Sequence, residues 1–68
     1  MEKMFKVEGM SCGGCVQSVR RAIERVRGVK RVDVSLEQEM ATVEFEESTQ
    51  VKEIEAAVHE AGYEAVAA

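Results

Sequence analysis

The sequence predicts an α+β domain in which two helices cover one face of a four-stranded antiparallel sheet. Three observations support this prediction. Apolar and polar residues alternate in four short segments, apolar residues recur every three or four positions in two longer segments, and glycines separate several of these segments. A chain of 68 residues has room for one small core between two layers, so we expect residues 1–68 to form a single domain.

The first half of the chain has the pattern of a strand, a helix and a second strand. Residues 3–8 alternate between apolar and polar, which is typical of a half-buried strand, and Gly9 ends it. Apolar residues then recur at steps of three and four from about 14 to 27, which predicts an amphipathic helix that Gly28 closes. The alternation in residues 30–36, with Leu36 on the inward side, predicts the second strand.

The second half repeats the order of strand, helix and strand. After a short turn, residues 41–46 alternate and are predicted to form a hairpin with the second strand. Ser48 or Thr49 offers an N-cap for a second helix, whose apolar stripe ends at Ala61 before the following glycine. Residues 63–66 are expected to form a short last strand. With right-handed crossovers, the order βαββαβ gives a ferredoxin-like sandwich.

Both cysteines lie between the first strand and the first helix, in the segment Gly9-Met10-Ser11-Cys12-Gly13-Gly14-Cys15. Two thiols separated by two residues can direct their sulfur atoms to one point, and the glycines let the backbone bend around it. Cys15 falls in the first helical turn, where free backbone N–H groups and the helix dipole favour a thiolate. Structural zinc sites, redox enzymes and copper carriers share this spacing, so the spacing alone leaves all three functions open.

The composition narrows the class of protein. The N-terminus lacks a basic stretch followed by an apolar one, and no apolar run is long enough to span a bilayer, so we expect a cytoplasmic protein without direct membrane insertion. In a reducing cytosol, two close cysteines are metal ligands or a redox pair more often than a structural disulfide. The formal net charge of −4 argues against binding of nucleic acid, and the outward positions of the predicted sheet have no aromatic ring that could stack on a base.

The cysteine segment resembles the metal-binding motif of the heavy-metal-associated domain. This family includes bacterial copper chaperones and the N-terminal metal-binding domains of copper-transporting P-type ATPases. The resemblance extends nearly over the whole chain, through Gly28-Val29, Val32-Asp33-Val34 and Ala61-Gly62-Tyr63. It implies Cu(I) held by the sulfur atoms of Cys12 and Cys15 and passed to a similar domain, such as that of a copper-transporting ATPase, by ligand exchange.

Two thiolates suit Cu(I), because a soft monovalent ion accepts few ligands, whereas structural Zn²⁺ takes four. His59, the one histidine, lies off the apolar stripe of the second helix and is expected in solvent rather than on the metal. Binding of Hg(II) or of Zn(II) or Cd(II) remains the alternative, since Hg(II) also accepts two thiolates. The sequence also leaves open whether the chain is a free chaperone or part of an ATPase, and whether metal bridges two copies into a dimer.

Five residues are expected to support the two cysteines. The resemblance implies that Met10 points inward and supports the loop, while Gly13 and Gly14 leave the metal accessible from one side. Ser11 is neutral and does not add the oxygen ligand that a divalent ion prefers. Tyr63 has two interpretations: its ring closes the core, or, as the resemblance implies, it shields the sulfur atoms.

The main rival from another class of protein is a thioredoxin-like dithiol oxidoreductase. Such enzymes usually have an aromatic residue before the first cysteine and a proline near the pair, whereas Ser11 precedes Cys12 and the chain has no proline. We therefore expect no enzymatic activity.

Six of the nine basic residues lie between positions 20 and 31. This cluster is either a solvated helix face or, through Arg21 and Arg25, a docking patch for an acidic partner.

Overall fold

A computed structural model describes residues 1–68 and has the six elements in the predicted order. They are β1 (Glu2–Glu8), α1 (Gly13–Glu24), β2 (Val29–Ser35), β3 (Met40–Phe45), α2 (Val51–Glu60) and β4 (Glu64–Ala67). The sheet has the order β2-β3-β1-β4, and every neighbouring pair is antiparallel. This arrangement confirms the predicted ferredoxin-like sandwich. Neither helix combines the length and the apolar composition needed to cross a bilayer.

One hydrophobic core lies between the sheet and the two helices. Alternate residues of the strands face it, and each helix adds two fully buried side chains from its apolar stripe. Its buried members are Phe5, Val7, Met10, Val19, Ile23, Val32, Ala41, Val43, Phe45, Ile54, Val58 and Ala65. Because both helices contribute to the same cluster, they cover the same face of the sheet and leave the other face to solvent.

Helix α1 is shorter than predicted, and Gly28 does not close it. The helix ends at Glu24, after which the Val26 N–H donates to the Ile23 carbonyl at 3.0 Å and tightens the last turn. Gly28 stands in the following turn with φ +90°, where a Cβ would overlap Oγ1 of Thr49. A glycine is required here for both reasons, the left-handed backbone and the close approach of Thr49.

Neither Ser48 nor Thr49 is the N-cap of α2, so that prediction was wrong. The N-cap is Gln50, and no side chain caps this end of the helix. Thr49 is buried and donates its hydroxyl to the Arg27 carbonyl at 2.9 Å, 22 positions away. The hydroxyl therefore joins the turn after α1 to the loop before α2 instead of serving its own helix.

The end of α2 confirms the stop predicted at the glycine. Gly62 has φ +100°, and its N–H donates to the His59 carbonyl at 3.0 Å. The Tyr63 N–H donates to the Val58 carbonyl at 3.1 Å, which completes a Schellman motif. Since Tyr63 belongs to this cap, β4 begins one residue later than predicted, at Glu64.

Two residues assigned to inward positions are exposed. Leu36 lies beyond the end of β2, in the turn to β3, where the alternation no longer applies, and 39% of it is exposed. Ala61 is the C-cap of α2, past the last full turn, and is also exposed. In both cases the periodic pattern was extended one position too far.

Candidate metal centre

Cys12 and Cys15 lie where β1 passes into α1. Cys12 is the N-cap of the helix, with an extended backbone, and its carbonyl accepts the N–H groups of Cys15 at 3.0 Å and Val16 at 3.2 Å. The thiol of Cys12 caps no backbone group, so it remains available to a ligand. Cys15 is in the first helical turn, as predicted, where the orientation of the backbone amides favours negative charge.

The two sulfur atoms are 3.7 Å apart and do not form a disulfide. Two metal–sulfur bonds of about 2.3 Å each span at most about 4.6 Å, so one ion can contact both sulfur atoms. Cys12 is exposed and Cys15 is half-buried. Nowhere in the chain do three cysteine, histidine or carboxylate side chains converge on one point. The site thus offers two thiolates at the surface, a donor set that suits a soft ion of low coordination number.

The surroundings of Cys15 favour its thiolate. Interaction with the Tyr63 hydroxyl, the largest cause, together with the backbone and hydroxyl of Ser11 and the thiol of Cys12, lowers the pKa of Cys15 from 9.0 to about 6, against the opposing effect of partial burial. The Ser11 Oγ lies 3.7 Å from the sulfur, whereas the Tyr63 hydroxyl falls outside the geometry of a formed hydrogen bond. These neighbours favour the Cys15 thiolate before any metal binds.

Tyr63 packs against the core and lies next to the cysteine segment. Its half-buried ring packs against the core and lies over Gly9, where an added Cβ would be 3.4 Å from Cδ1 of the ring. The neighbouring Cys15 and partial burial raise the pKa of Tyr63, so the phenol keeps its proton.

Among the remaining residues of the cysteine segment, Met10 is buried, whereas Gly13 and Gly14 are exposed. Met10 is buried in the core, as expected, and so anchors the loop from below. A Cβ on Gly13 would meet nothing within 4 Å, whereas one on Gly14 would lie 3.7 Å from the sulfur of Cys12. The absence of a side chain at Gly14 leaves space beside the sulfur of Cys12.

Sequence reasoning missed Ser18. Its hydroxyl donates to the Gly14 carbonyl at 3.1 Å and also interacts with the Tyr63 hydroxyl, an effect that opposes the raised pKa of that phenol. Ser18 follows Cys15 by one helical turn, so helical spacing was the signal that could have identified it.

His59 is exposed and pairs with Glu64, with Nδ1 and Oε1 2.7 Å apart.

Arg21 and Arg25 are exposed on α1, and neither has a carboxylate within 4.0 Å. Arg20, on a neighbouring face of the same helix, instead pairs with Glu24 at 3.3 Å. The structure brings the two free arginines together beside the seam between α1 and α2.

Residues 4–64 match the sequence profile of the heavy-metal-associated domain. The chain is 46% identical over 66 residues to the copper chaperone CopZ of Enterococcus hirae, a match that covers 96% of each protein. It is also 45% identical over 60 residues to copper-transporting ATPase 1 of Rhizobium meliloti, covering 88% of this chain and 7% of the ATPase. Among solved structures, a CopZ metallochaperone superposes with a TM-score of 0.92 at 34% identity, covering 97% of this chain and 100% of the other.

Proposed function

This chain belongs to the heavy-metal-associated domain family, and on that premise we propose that it carries Cu(I) between the thiolates of Cys12 and Cys15 and delivers it to a partner protein. The observation that carries the proposal is the surface pair of sulfur atoms 3.7 Å apart, without a third protein ligand. A soft monovalent ion is stable with two thiolates, whereas Zn²⁺ would remain under-coordinated there. The similarity to copper chaperones supports copper as the cargo.

Transfer proceeds by exchange of thiolates. A thiolate of the partner attacks the two-coordinate ion from the open side, next to Gly14, and a three-coordinate ion forms. The Cys12 sulfur, which is the more exposed of the two, leaves first and takes a proton from solvent. A second partner thiolate then replaces Cys15. Each step exchanges one sulfur for another, so the ion never enters solvent and tight binding is compatible with fast release.

The partner is, on this proposal, a similar domain, such as the metal-binding domain of a copper-transporting P-type ATPase. The similarity to an ATPase supports that class of partner. We assign no enzymatic activity, nucleic acid or membrane insertion to residues 1–68, which act as one domain and monomer in the cytoplasm, where free thiols persist. A second copy that supplied the attacking thiolate would give a metal-bridged dimer.

We predict that Cys12→Ser and Cys15→Ser each weaken Cu(I) binding at least about 100-fold, or about 2.7 kcal/mol, because a hydroxyl replaces one of two thiolates. Anaerobic competition with a Cu(I) chelator measures the affinity, and circular dichroism checks the fold. Gly13→Ala is the matched control, since its added Cβ meets nothing within 4 Å and it should bind like the wild type. Wild-type affinity in either serine variant would exclude the two-thiolate site.

A further inference from the structure

Tyr63 stands between two residues that are both bonded to His59. The Gly62 N–H donates to the His59 carbonyl at 3.0 Å, and Nδ1 of His59 lies 2.7 Å from Oε1 of Glu64. One residue at the end of α2 thus contacts both sequence neighbours of Tyr63, through its carbonyl on one side and its imidazole on the other. We call the side-chain pair of His59 and Glu64 the α2–β4 clasp.

Glu64 gains from turning toward His59. In the register of β1 and β4 it is directly opposite Glu8, and like charges in opposed positions destabilise a sheet. β4 is an edge strand, so no further strand separates Glu64 from the end of α2. An Nδ1–H can donate to the carboxylate whether the imidazole is neutral or protonated. In the clasp, the Glu64 carboxylate therefore has a donor on the side away from a like charge.

The clasp lies on the surface, so its effect is local. The side chains of His59 and Glu64 are 71% and 63% exposed, and an exposed pair of this kind shifts an equilibrium by about fivefold or less. The segment that the clasp closes, residues 60–63, contains Gly62, whose left-handed backbone has φ +100°. The clasp therefore acts on the position of this segment much more than on the stability of the domain.

Helix α2 contacts the other end of β4 as well. Oε2 of Glu55, one helical turn before His59, accepts the Ala67 N–H at 3.2 Å. Two side chains of α2 therefore hold the first and the last residue of β4. Because only the His59 contact adjoins Tyr63, the two contacts can be removed separately.

The segment closed by the clasp sets the position of the Tyr63 ring. Its N–H donates to the Val58 carbonyl at 3.1 Å, and the ring lies over Gly9, where an added Cβ would be 3.4 Å from Cδ1. In this position the hydroxyl is near enough to Cys15 to favour its thiolate. A ring that moved away from Gly9 would take the hydroxyl away from the sulfur.

We propose that His59 and Glu64 are positioning residues of the metal site, which hold Tyr63 over Gly9 with its hydroxyl near Cys15. Neither residue bonds to a cysteine, so both act through Tyr63. This inference rests on the proposed carrier function and deepens it, because a site that is already arranged before the ion arrives loses less conformational freedom on binding.

The first test follows the ring of Tyr63 directly. The chain has one tyrosine and no tryptophan, so the fluorescence of the metal-free protein reports on this ring alone. We expect His59→Ala and Glu64→Ala each to increase quenching by acrylamide about twofold, within the range open to an exposed pair. His59→Asn should restore the wild-type value, because its amide N–H replaces Nδ1–H. Unchanged quenching in both alanine variants would overturn the proposal.

Glu55→Ala is the matched control. It removes the acceptor at the far end of β4, so it should leave the quenching of Tyr63 at the wild-type value. An increase equal to that of His59→Ala would show that any loosening of β4 exposes the ring, and the specific role of the clasp would be wrong. Circular dichroism checks that each variant keeps the fold.

A second readout tests whether the clasp reaches Cys15 through Tyr63. In a Cys12→Ser background, His59→Ala should move the midpoint of thiol alkylation to higher pH, whereas His59→Ala combined with Tyr63→Phe should add nothing to Tyr63→Phe alone. An equal shift in both backgrounds would mean that His59 acts by its own charge, against the proposal. Chelator competition on the wild type tests the carrier function separately, since absence of Cu(I) binding would refute that function and leave these metal-free measurements unchanged.

Discussion

Cys12 and Cys15 differ although they share one loop and one chemistry. Cys12 is an exposed N-cap, whereas Cys15 is half-buried near the hydroxyls of Tyr63 and Ser11, which lower its pKa. On the proposed transfer, the more exposed Cys12 is the ligand that a partner reaches first.

Tyr63→Phe should raise the pKa of Cys15 from about 6 toward 9.0, because the hydroxyl is the largest cause of its lowering. The pH dependence of thiol alkylation measures this in a Cys12→Ser background, where Cys15 is the sole thiol. Cu(I) affinity of the variant should fall as pH decreases from 9 toward 6, a range in which the wild-type thiolate persists. An alkylation midpoint that does not move would show that Tyr63 only closes the core.

Ser11→Asp should raise Zn²⁺ affinity about tenfold or more, or about 1.4 kcal/mol, and change Cu(I) affinity much less. The Ser11 Oγ is 3.7 Å from the Cys15 sulfur, so a carboxylate here would lie beside the metal and add the oxygen that a divalent ion prefers. Parallel competition titrations of both metals measure the effect. Gln17→Asp adds the same charge on an exposed position of α1 and is the control for long-range electrostatics. If both variants gained equally, a direct ligand at position 11 would be excluded.

At the scale of elements, features that depend on neighbours in sequence were predictable and those that depend on distant contacts were not. The apolar periods identify all six elements, and the glycine after α2 identifies its Schellman cap, because both are local. The N-cap of α2 was misplaced, because the Thr49 hydroxyl bonds to the Arg27 carbonyl, 22 positions away, instead of to its own helix. The same distinction holds at the metal site. The two cysteines are close in sequence, whereas Tyr63, which acts on Cys15, lies just after the end of α2.

Gly28→Ala should destabilise the domain by about 2–4 kcal/mol, since it combines a strained left-handed backbone with loss of a buried hydrogen bond. Its Cβ would displace Oγ1 of Thr49 from the Arg27 carbonyl. Gly62→Ala is the matched control, because φ is +100° there but nothing lies within 4 Å of the added carbon. Its expected cost is the backbone strain alone, about 1–2 kcal/mol. Urea denaturation measures both variants, and equal losses would show that the Thr49 contact contributes nothing.

At the scale of the whole molecule, the two proposed metal ligands are close in sequence, whereas the fold depends on distant contacts. The Cys12 and Cys15 sulfurs are separated by two residues, so an unfolded chain can still bring both to one ion. A ligand stabilises the native state only by the difference between its affinities for the native and unfolded states. What the fold adds is the fixed position of the two sulfurs and the interaction of Tyr63 with Cys15.

Copper should therefore stabilise the fold up to a limit. As free Cu(I) rises, the free energy of unfolding should increase and then level off at about 1–3 kcal/mol above the metal-free value, the usual size of a coupling between a ligand and a conformational equilibrium. Urea denaturation at Cu(I) concentrations fixed by a chelator measures this curve, and Cys12→Ser/Cys15→Ser should show no dependence on copper. Tyr63→Phe should lower the plateau, because its hydroxyl acts on the thiolate only in the native state. A continued rise of about 1.4 kcal/mol per tenfold increase in free copper would mean instead that the unfolded chain does not bind the ion.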